Sequence, residues 1–367
     1  MPKPNEISFR PALLHDHLDG SRALLPSLRE MYRLSEKSCP FSDDAAVKAA
    51  FADPHVNLVE KFGATTGAMQ SDASLELAAY AYTSGRARQG FRYCEATIAP
   101  QYHADLAGFK SFEDLLAGDP WRAKGEIKRV VAALVRGIKR GEKEFPLIEV
   151  DLLLAFGREV SAETAVRLVN IFSQCDRDYA VGVSLVCDEA AHPPQKHIPA
   201  FRRAKELGFQ TTAHAGEWVH LPPRGADPEN DRKTLLENIL SAIMDLGADR
   251  IGHAIPLAYS PDLMRIVQDQ GIGIEGCPGS NLSCGLIPNM AYLKIRDFLD
   301  AHVMYSINPD DDLFMPDLDE TVALCDTEYH FTAHERWKLE MNSWATRFGH
   351  RKHHDLSELL SRKTSSG

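Results

Sequence analysis

Ala12-Leu13-Leu14-His15-Asp16-His17-Leu18-Asp19-Gly20 is the stretch that decides the fold of this chain. An apolar start, two histidines at alternate positions and a tight polar turn read as a buried strand ending at a functional face. The turn lacks the glycine-rich fingerprint that follows the first strand of a dinucleotide-binding doubly wound sheet. Seven more short, nearly continuous apolar runs read as strands buried on both faces: 92–98, 148–156, 180–186, 210–214, 250–253, 273–276 and 303–307. Amphipathic segments lie between them. The clearest carries Ile127, Val130, Val131, Leu134, Val135 and Ile138 at helical spacing. Others fall at 75–87, 162–172, 235–246 and 261–268, the last capped by Ser260 with Pro261 in its first turn. Eight strand–helix units predict a (β/α)8 TIM barrel, one domain over residues 1–367. A helical insert at 36–70 and a Pro-, Gly- and Asp-rich loop at 218–232 are expected at the C-terminal face, and the tail after Asp355 is expected to fray.

Composition narrows the class. Hydrophobic residues make up 44% and charged residues 25%, enough for a large core. The net charge of -11 repels phosphate backbones, so nucleic acid and anionic membranes are poor partners. No stretch reaches the roughly 18 apolar residues a membrane span needs, and the first residues carry no apolar leader. The seven cysteines are scattered without a C-x-x-C pair, which predicts buried free thiols and a cytoplasmic protein.

The chemistry sits at the predicted strand ends. Fifteen histidines make an H-x-H spacing common by chance, so His15 and His17 alone fit a polar strand end as well as a metal site. Their position on one face of a strand lets both imidazoles reach one ion. His214 ends the fifth strand, Ala-Gly lets the backbone turn, and Glu217 follows three residues on; a helix-capping glutamate is the ordinary alternative. His253 ends the sixth strand, where a lone histidine is otherwise a core residue. Asp310, Asp311 and Asp312 follow the eighth, where a solvated acidic loop is the alternative. His15, His17, His214 and Asp310 make an N3O set for a catalytic divalent metal, zinc first, with iron or manganese also accepted by such ligands. A metal so placed lowers the pKa of water towards ~7, giving hydroxide as the attacking group. His253 would hold that hydroxide, Glu217 would carry a proton, and Asp311 would meet a substrate N–H or ring nitrogen.

These residues resemble the adenosine deaminase family of the amidohydrolase superfamily. The matching pieces are His-Asp-His-Leu-Asp-Gly at 15–20, His-Ala-Gly-Glu at 214–217, Arg-Ile-Gly-His at 250–253, Cys-Pro-Gly-Ser-Asn at 277–281 and Ser-Ile-Asn-Pro-Asp-Asp at 306–311. Weaker matches are Tyr93-Cys94-Glu95-Ala96 and Phe62 with Leu58 and Val59. The resemblance implies a barrel with one zinc ion that hydrolyses an amine from a purine. It implies metal binding by His15, His17, His214 and Asp310, protonation of the purine ring by Glu217, and orientation of the attacking hydroxide by His253. It also implies contacts from Asp19 to the sugar hydroxyls, from Asp311 to the imidazole side of the purine, and from the Cys187 backbone N–H to the ring. Leu58 and Phe62 are candidates for an apolar lid over the substrate. Aspartate at 19, where relatives acting on adenine or aminofutalosine carry glutamate, favours a nucleoside. Three departures bear on the substrate: Cys187 stands where the family usually has glycine, Ala254 follows His253 in place of glycine, and the segment from Trp218 to Arg224 is longer than usual. The expected activity is therefore hydrolytic deamination of adenosine or a close 6-aminopurine nucleoside, a small-molecule substrate. Adenine, aminofutalosine, AMP, a modified adenosine and a non-catalytic nucleoside-binding role are the alternatives. A binuclear hydrolase would need a bridging lysine, and none lies in the third to fifth predicted strands.

Overall fold

The computed structural model describes residues 10–52, 58–219 and 228–357, with the backbone alone at 52, 58, 59 and 228–230. Eight strands form one sheet in the order of the chain. They are β1 Leu13–His17, β2 Tyr93–Ile98, β3 Glu149–Gly157, β4 Ala180–Val186, β5 Gln210–Ala215, β6 Arg250–His253, β7 Gly273–Gly276 and β8 Met304–Ile307. Each pairs in parallel with the next. Helices follow the strands on the outside, so the chain is a (β/α)8 barrel whose C-terminal strand ends share one face. All eight predicted strands are present, with ends shifted by a residue or so.

The seam between β1 and β8 closes differently from the other seven. It has an isolated parallel bridge between Asp16 and Asp310 rather than a full ladder. His17 N donates to Asp310 O at 3.2 Å and Asp310 N to His15 O at 3.2 Å. Below that bridge the Asn308 side-chain oxygen accepts from Leu14 N at 3.1 Å and His15 N at 3.2 Å. The seam is thus sealed at the functional end by the loop that carries Asp310. At the opposite end, Trp344 packs with Ala12, Leu14 and Tyr93, and Ser343 Oγ accepts from Ala12 N at 2.9 Å.

The helix Asp72–Arg88 lies against the long helix Pro120–Glu144. A Cβ at Gly137 would come within 2.2 Å of Glu76 O, so that approach requires glycine. The expected insert at 36–70 holds two helices, Asp44–Ala52 and Leu58–Ala68. The expected loop at 218–232 is shorter than its composition suggested, because a helix Pro228–Met244 has already begun. Pro228 followed by Glu229 and Asp231 is a helix start, with proline pre-set for the first turn and acids at the positive end. The rest of that loop, 220–227 with Arg224, lies outside the described residues, as does the tail from 358. All seven cysteines are free thiols.

Candidate active site

Four strand ends deliver the expected side chains to one cavity. His15 and His17 share the inner face of β1, with ring centroids 5.5 Å apart. His214 from β5 brings its ring to 4.5 Å from that of His15. His253 from β6 lies 5.0 Å from both. Asp310, just past β8, places Oδ1 3.4 Å from His15 Nε2 and 3.3 Å from His17 Nε2. Glu217 reaches back over the turn after β5, with Oε2 3.6 Å from His214 Nδ1 and 3.6 Å from His253 Nε2.

Partners to which the sequence assigned no role fix these groups. Glu275 on β7 accepts from His15 Nδ1 at 2.9 Å, which turns the His15 Nε2 lone pair toward Asp310. Glu275 is itself held by Thr212 Oγ1 at 3.0 Å and by Arg250, which also binds Glu95 inside the barrel. Ser280 Oγ donates to Asp310 Oδ2 at 2.7 Å. Asn281 Oδ1 sits 2.9 Å from His253 Nδ1, so Nδ1 carries the hydrogen and Nε2 is an acceptor. Glu189 accepts from Gly216 N and Glu217 N, both at 2.8 Å, and so holds the turn that aims Glu217. Ser280 and Asn281 fell within a quoted motif without a role. Glu275 had one usable signal, a lone carboxylate inside an apolar strand.

The arrangement fits a divalent cation. His15 Nε2, His253 Nε2, Asp310 Oδ1 and Asp311 Oδ1 are buried without a hydrogen-bond partner. Such orphans are costly, and a cation among them would satisfy several at once. Ligand atoms of His15, His17 and His214 lie within 4.8 Å of one another, as do those of His17, Asp310 and Asp311. Charge points the same way. Burial acts to lower the His17 pKa, yet Asp311 and Asp310 outweigh it and push it up to about 9. The carboxylates thus favour positive charge beside His17, and a metal ion supplies that charge. Glu217 differs: burial, then the charges of Asp310 and Glu189, raise its carboxyl to about 8, so it keeps a proton at neutral pH. Burial holds His253 at about 4, leaving it neutral.

The remaining candidates surround this cluster. Asp311 Oδ1 packs where a Cβ on Gly20 would lie 1.8 Å away, so the glycine after Asp19 makes room for it. Asp19 is buried, with Oδ2 3.7 Å from His103 Nε2. Cys187 is exposed, and its Sγ lies 3.6 Å from Tyr102 Oη. Phe62 packs tilted against Phe314, ring centroids 4.8 Å apart, over the loop that follows Asp310. The side chains of Leu58 and Val59 lie outside the described residues. Cys187, His253, Ala254 and Asp310 have φ of 76°, 63°, 48° and 67°. Left-handed backbone at non-glycine residues is strained, and here it clusters at the mouth of the barrel.

Known proteins share both the sequence pattern and the architecture. The sequence model described as adenosine deaminase matches residues 11–362. An adenosine deaminase from Enterococcus faecalis is 26% identical over 304 residues, covering 81% of this chain and 79% of that protein. The structure of adenine deaminase from Arthrobacter aurescens superposes with a TM-score of 0.75 at 21% identity, over 98% of this chain and 99% of that one. An amidohydrolase from Burkholderia ambifaria, solved with bound zinc, gives a TM-score of 0.74 at 21% identity, over 96% of this chain and 88% of that one. Likeness at that identity establishes the barrel. The family match runs nearly end to end, and on that ground this chain belongs to the adenosine deaminase family and is a metal-dependent deaminase.

Proposed function

We propose that the chain hydrolyses adenosine, or a closely related 6-aminopurine nucleoside, to the inosine-type product and ammonia, with one zinc ion per chain. The observation that carries this reading is the meeting of the orphaned His15 Nε2 and Asp310 Oδ1 with a carboxyl that keeps its proton, Glu217. His15, His17, His214 and Asp310 would hold the metal. Bound there, it supplies the Lewis acidity that lets water ionise near neutrality. Glu217 gives its proton to the purine nitrogen beside the carbon bearing the amine, which makes that carbon electrophilic. His253 accepts a hydrogen bond from the attacking oxygen at Nε2 and fixes its approach. The carbon–oxygen bond forms and the carbon–nitrogen bond breaks; one proton of the attacking water leaves with the amine as ammonia, and the other restores Glu217. Asp311 and the Cys187 N–H meet the purine, Asp19 meets the sugar hydroxyls, and Leu58 and Phe62 cover the substrate.

The charges near the mouth support a nucleoside over a nucleotide. Arg22 follows the Asp19–Gly20 turn, but its guanidinium binds Asp317 at 3.1 Å, Glu320 at 3.3 Å and the Asp312 carbonyl at 2.9 Å. A phosphate there would meet carboxylates. The acidic net charge supports a small-molecule partner, and the free thiols support the cytoplasm. Among the described residues no helix is long and apolar enough to cross a membrane. Ammonia release from adenosine, adenine and AMP, measured alongside elemental analysis, tests the reading. Adenosine should have the highest kcat/KM and one zinc should copurify per chain. Faster turnover of adenine or AMP overturns the nucleoside, and full activity in metal-free protein overturns the metal.

A further inference from the structure

Behind the candidate metal ligands lies a buried ion network that the reaction itself does not use. Asp16 separates His15 from His17 and points the other way, out of the barrel. Asp312 follows Asp310 and Asp311. Both carboxylates meet Arg86, from the helix Asp72–Arg88, at the β1–β8 seam. Arg86 Nε donates to Asp16 Oδ2 at 2.9 Å and Nη2 to Asp16 Oδ1 at 2.8 Å, a bidentate pair. Arg86 Nη1 donates to Asp312 Oδ2 at 2.6 Å and to Gln89 Oε1 at 3.0 Å, and Nη2 to Ser21 Oγ at 3.1 Å. That uses all five guanidinium N–H donors. Tyr82 Oη donates to Asp16 Oδ2 at 2.5 Å, and Asp312 Oδ1 accepts from Arg22 N at 2.6 Å. Asp16, Arg86 and Asp312 are all buried, at 0%, 2% and 0% exposure.

We infer that Arg86, Asp16 and Asp312 form a clamp that sets the distance between the His15–His17 pair and Asp310, and so tunes metal affinity. The inference rests on the proposed ligand set. Its physical basis is the weakness of the seam. β1 meets the segment after β8 in one bridge, Asp16 to Asp310, where every other neighbouring pair of strands has a ladder. Two backbone bonds at 3.2 Å and the Asn308 side chain join the ligand-bearing segments there in place of a continuous ladder. Arg86 ties Asp16, between the two histidines, and Asp312, two residues after Asp310, to one rigid fork, and the helix that carries it is packed against the long helix behind. These three are positioning residues, because none of them faces the cavity.

Chelator competition on purified protein tests the clamp, with the thermal midpoint read in the presence and absence of zinc. The variants are Asp312→Asn, Asp16→Asn and Arg86→Lys, the last keeping the buried charge while losing the fork. Altered partners of metal ligands typically weaken binding about 10-fold to 100-fold. A zinc Kd raised into that range, with a smaller thermal shift on zinc addition, is the expected result. Equal losses of midpoint with and without zinc, at unchanged Kd, would make the network a structural brace only and overturn the clamp. Asp312→Asn or Asp16→Asn could fail to fold; Arg86→Lys then carries the same test. Wild-type protein that binds no zinc overturns the ligand set and the clamp with it. Wild-type binding with unaffected variants overturns the clamp alone.

Discussion

Two carboxyl groups share the cavity and hold opposite protonation states. His253 Nε2 lies 3.6 Å from Glu217 and 3.9 Å from Asp310. Burial acts to raise both, but the nearby imidazoles of His15 and His17 hold Asp310 well below the usual carboxylate range, whereas Glu217 climbs to about 8. That difference suits Asp310 to the proposed ligand role and Glu217 to the proposed acid role. Glu217→Gln keeps the shape but has no acidic proton to give, so kcat should fall by about 10²–10⁴-fold while metal content stays near wild type. Near-normal turnover in that variant would remove Glu217 from the reaction. Cys187, at φ 76°, pays for a left-handed backbone that glycine adopts freely. Cys187→Gly should raise stability by about 1 kcal/mol in urea titration, and a lower midpoint would show that the thiol's packing outweighs the strain. The candidate ligands stand out at this scale because each lies at or just past the end of an apolar run. Glu275 and Arg86 were not, because the partners that give them meaning, His15 and Asp312, are 260 and 226 residues away.

Strands were the elements most open to reading. A strand covered on both faces is apolar along its whole length, and β4, β6 and β7 match the expected limits. Helices that face several neighbours were harder to read. Ala333–Thr346 buries Leu339, Ser343 and Trp344 against the seam and has no clean apolar stripe, so only its capping box, Thr332 with Glu335, marked its start. The first turn of Pro228–Met244 reads as loop in the sequence because it is rich in Pro, Glu, Asn and Asp. The helix Leu58–Ala68 has a consequence for substrate binding. Phe62 packs on Phe314, which in turn stacks on Phe51 at 5.8 Å. That row ties the insert to the loop carrying Asp310. Phe62→Ala should raise KM with little change in kcat, since a lid that only covers substrate contributes equally in ground and transition states. An unchanged KM with a lowered thermal midpoint would leave Phe62 a packing residue.

The whole barrel is stabilised from the face opposite the active site. After the helix Ala333–Thr346 the chain crosses the N-terminal end of the strands. Phe348 N donates to Glu95 Oε1 at 2.6 Å and Gly349 N to Tyr93 Oη at 2.7 Å. Lys352 N donates to Glu149 Oε2 at 2.8 Å, the same oxygen that lies 2.9 Å from His354 Nε2. Arg351 binds Asp151 at 2.7 Å. The two strand carboxylates nonetheless act in opposite directions. Burial acts to raise the Glu149 pKa, but His354 and the amides of Lys352 and Arg351 bring it below its ordinary 4.5. A depressed carboxyl stabilises the fold above 4.5, and that contribution disappears as pH falls through the folded-state value. Asp151 is raised well above 3.8, by burial first and then by the charge of Glu149, and its Oδ2 has no partner. Its charge therefore opposes folding at neutral pH, and acidification relieves that down to 3.8. Urea midpoints measured across pH should separate the pair. Glu149→Gln should lower stability at pH 7 by about 1–3 kcal/mol and flatten the acid limb below pH 4.5. Asp151→Asn keeps an acceptor for Arg351 and should leave neutral-pH stability unchanged or higher. A large loss in Asp151→Asn, matched by none in Glu149→Gln, would reverse the assignment and make the Arg351 ion pair the main anchor of the strap.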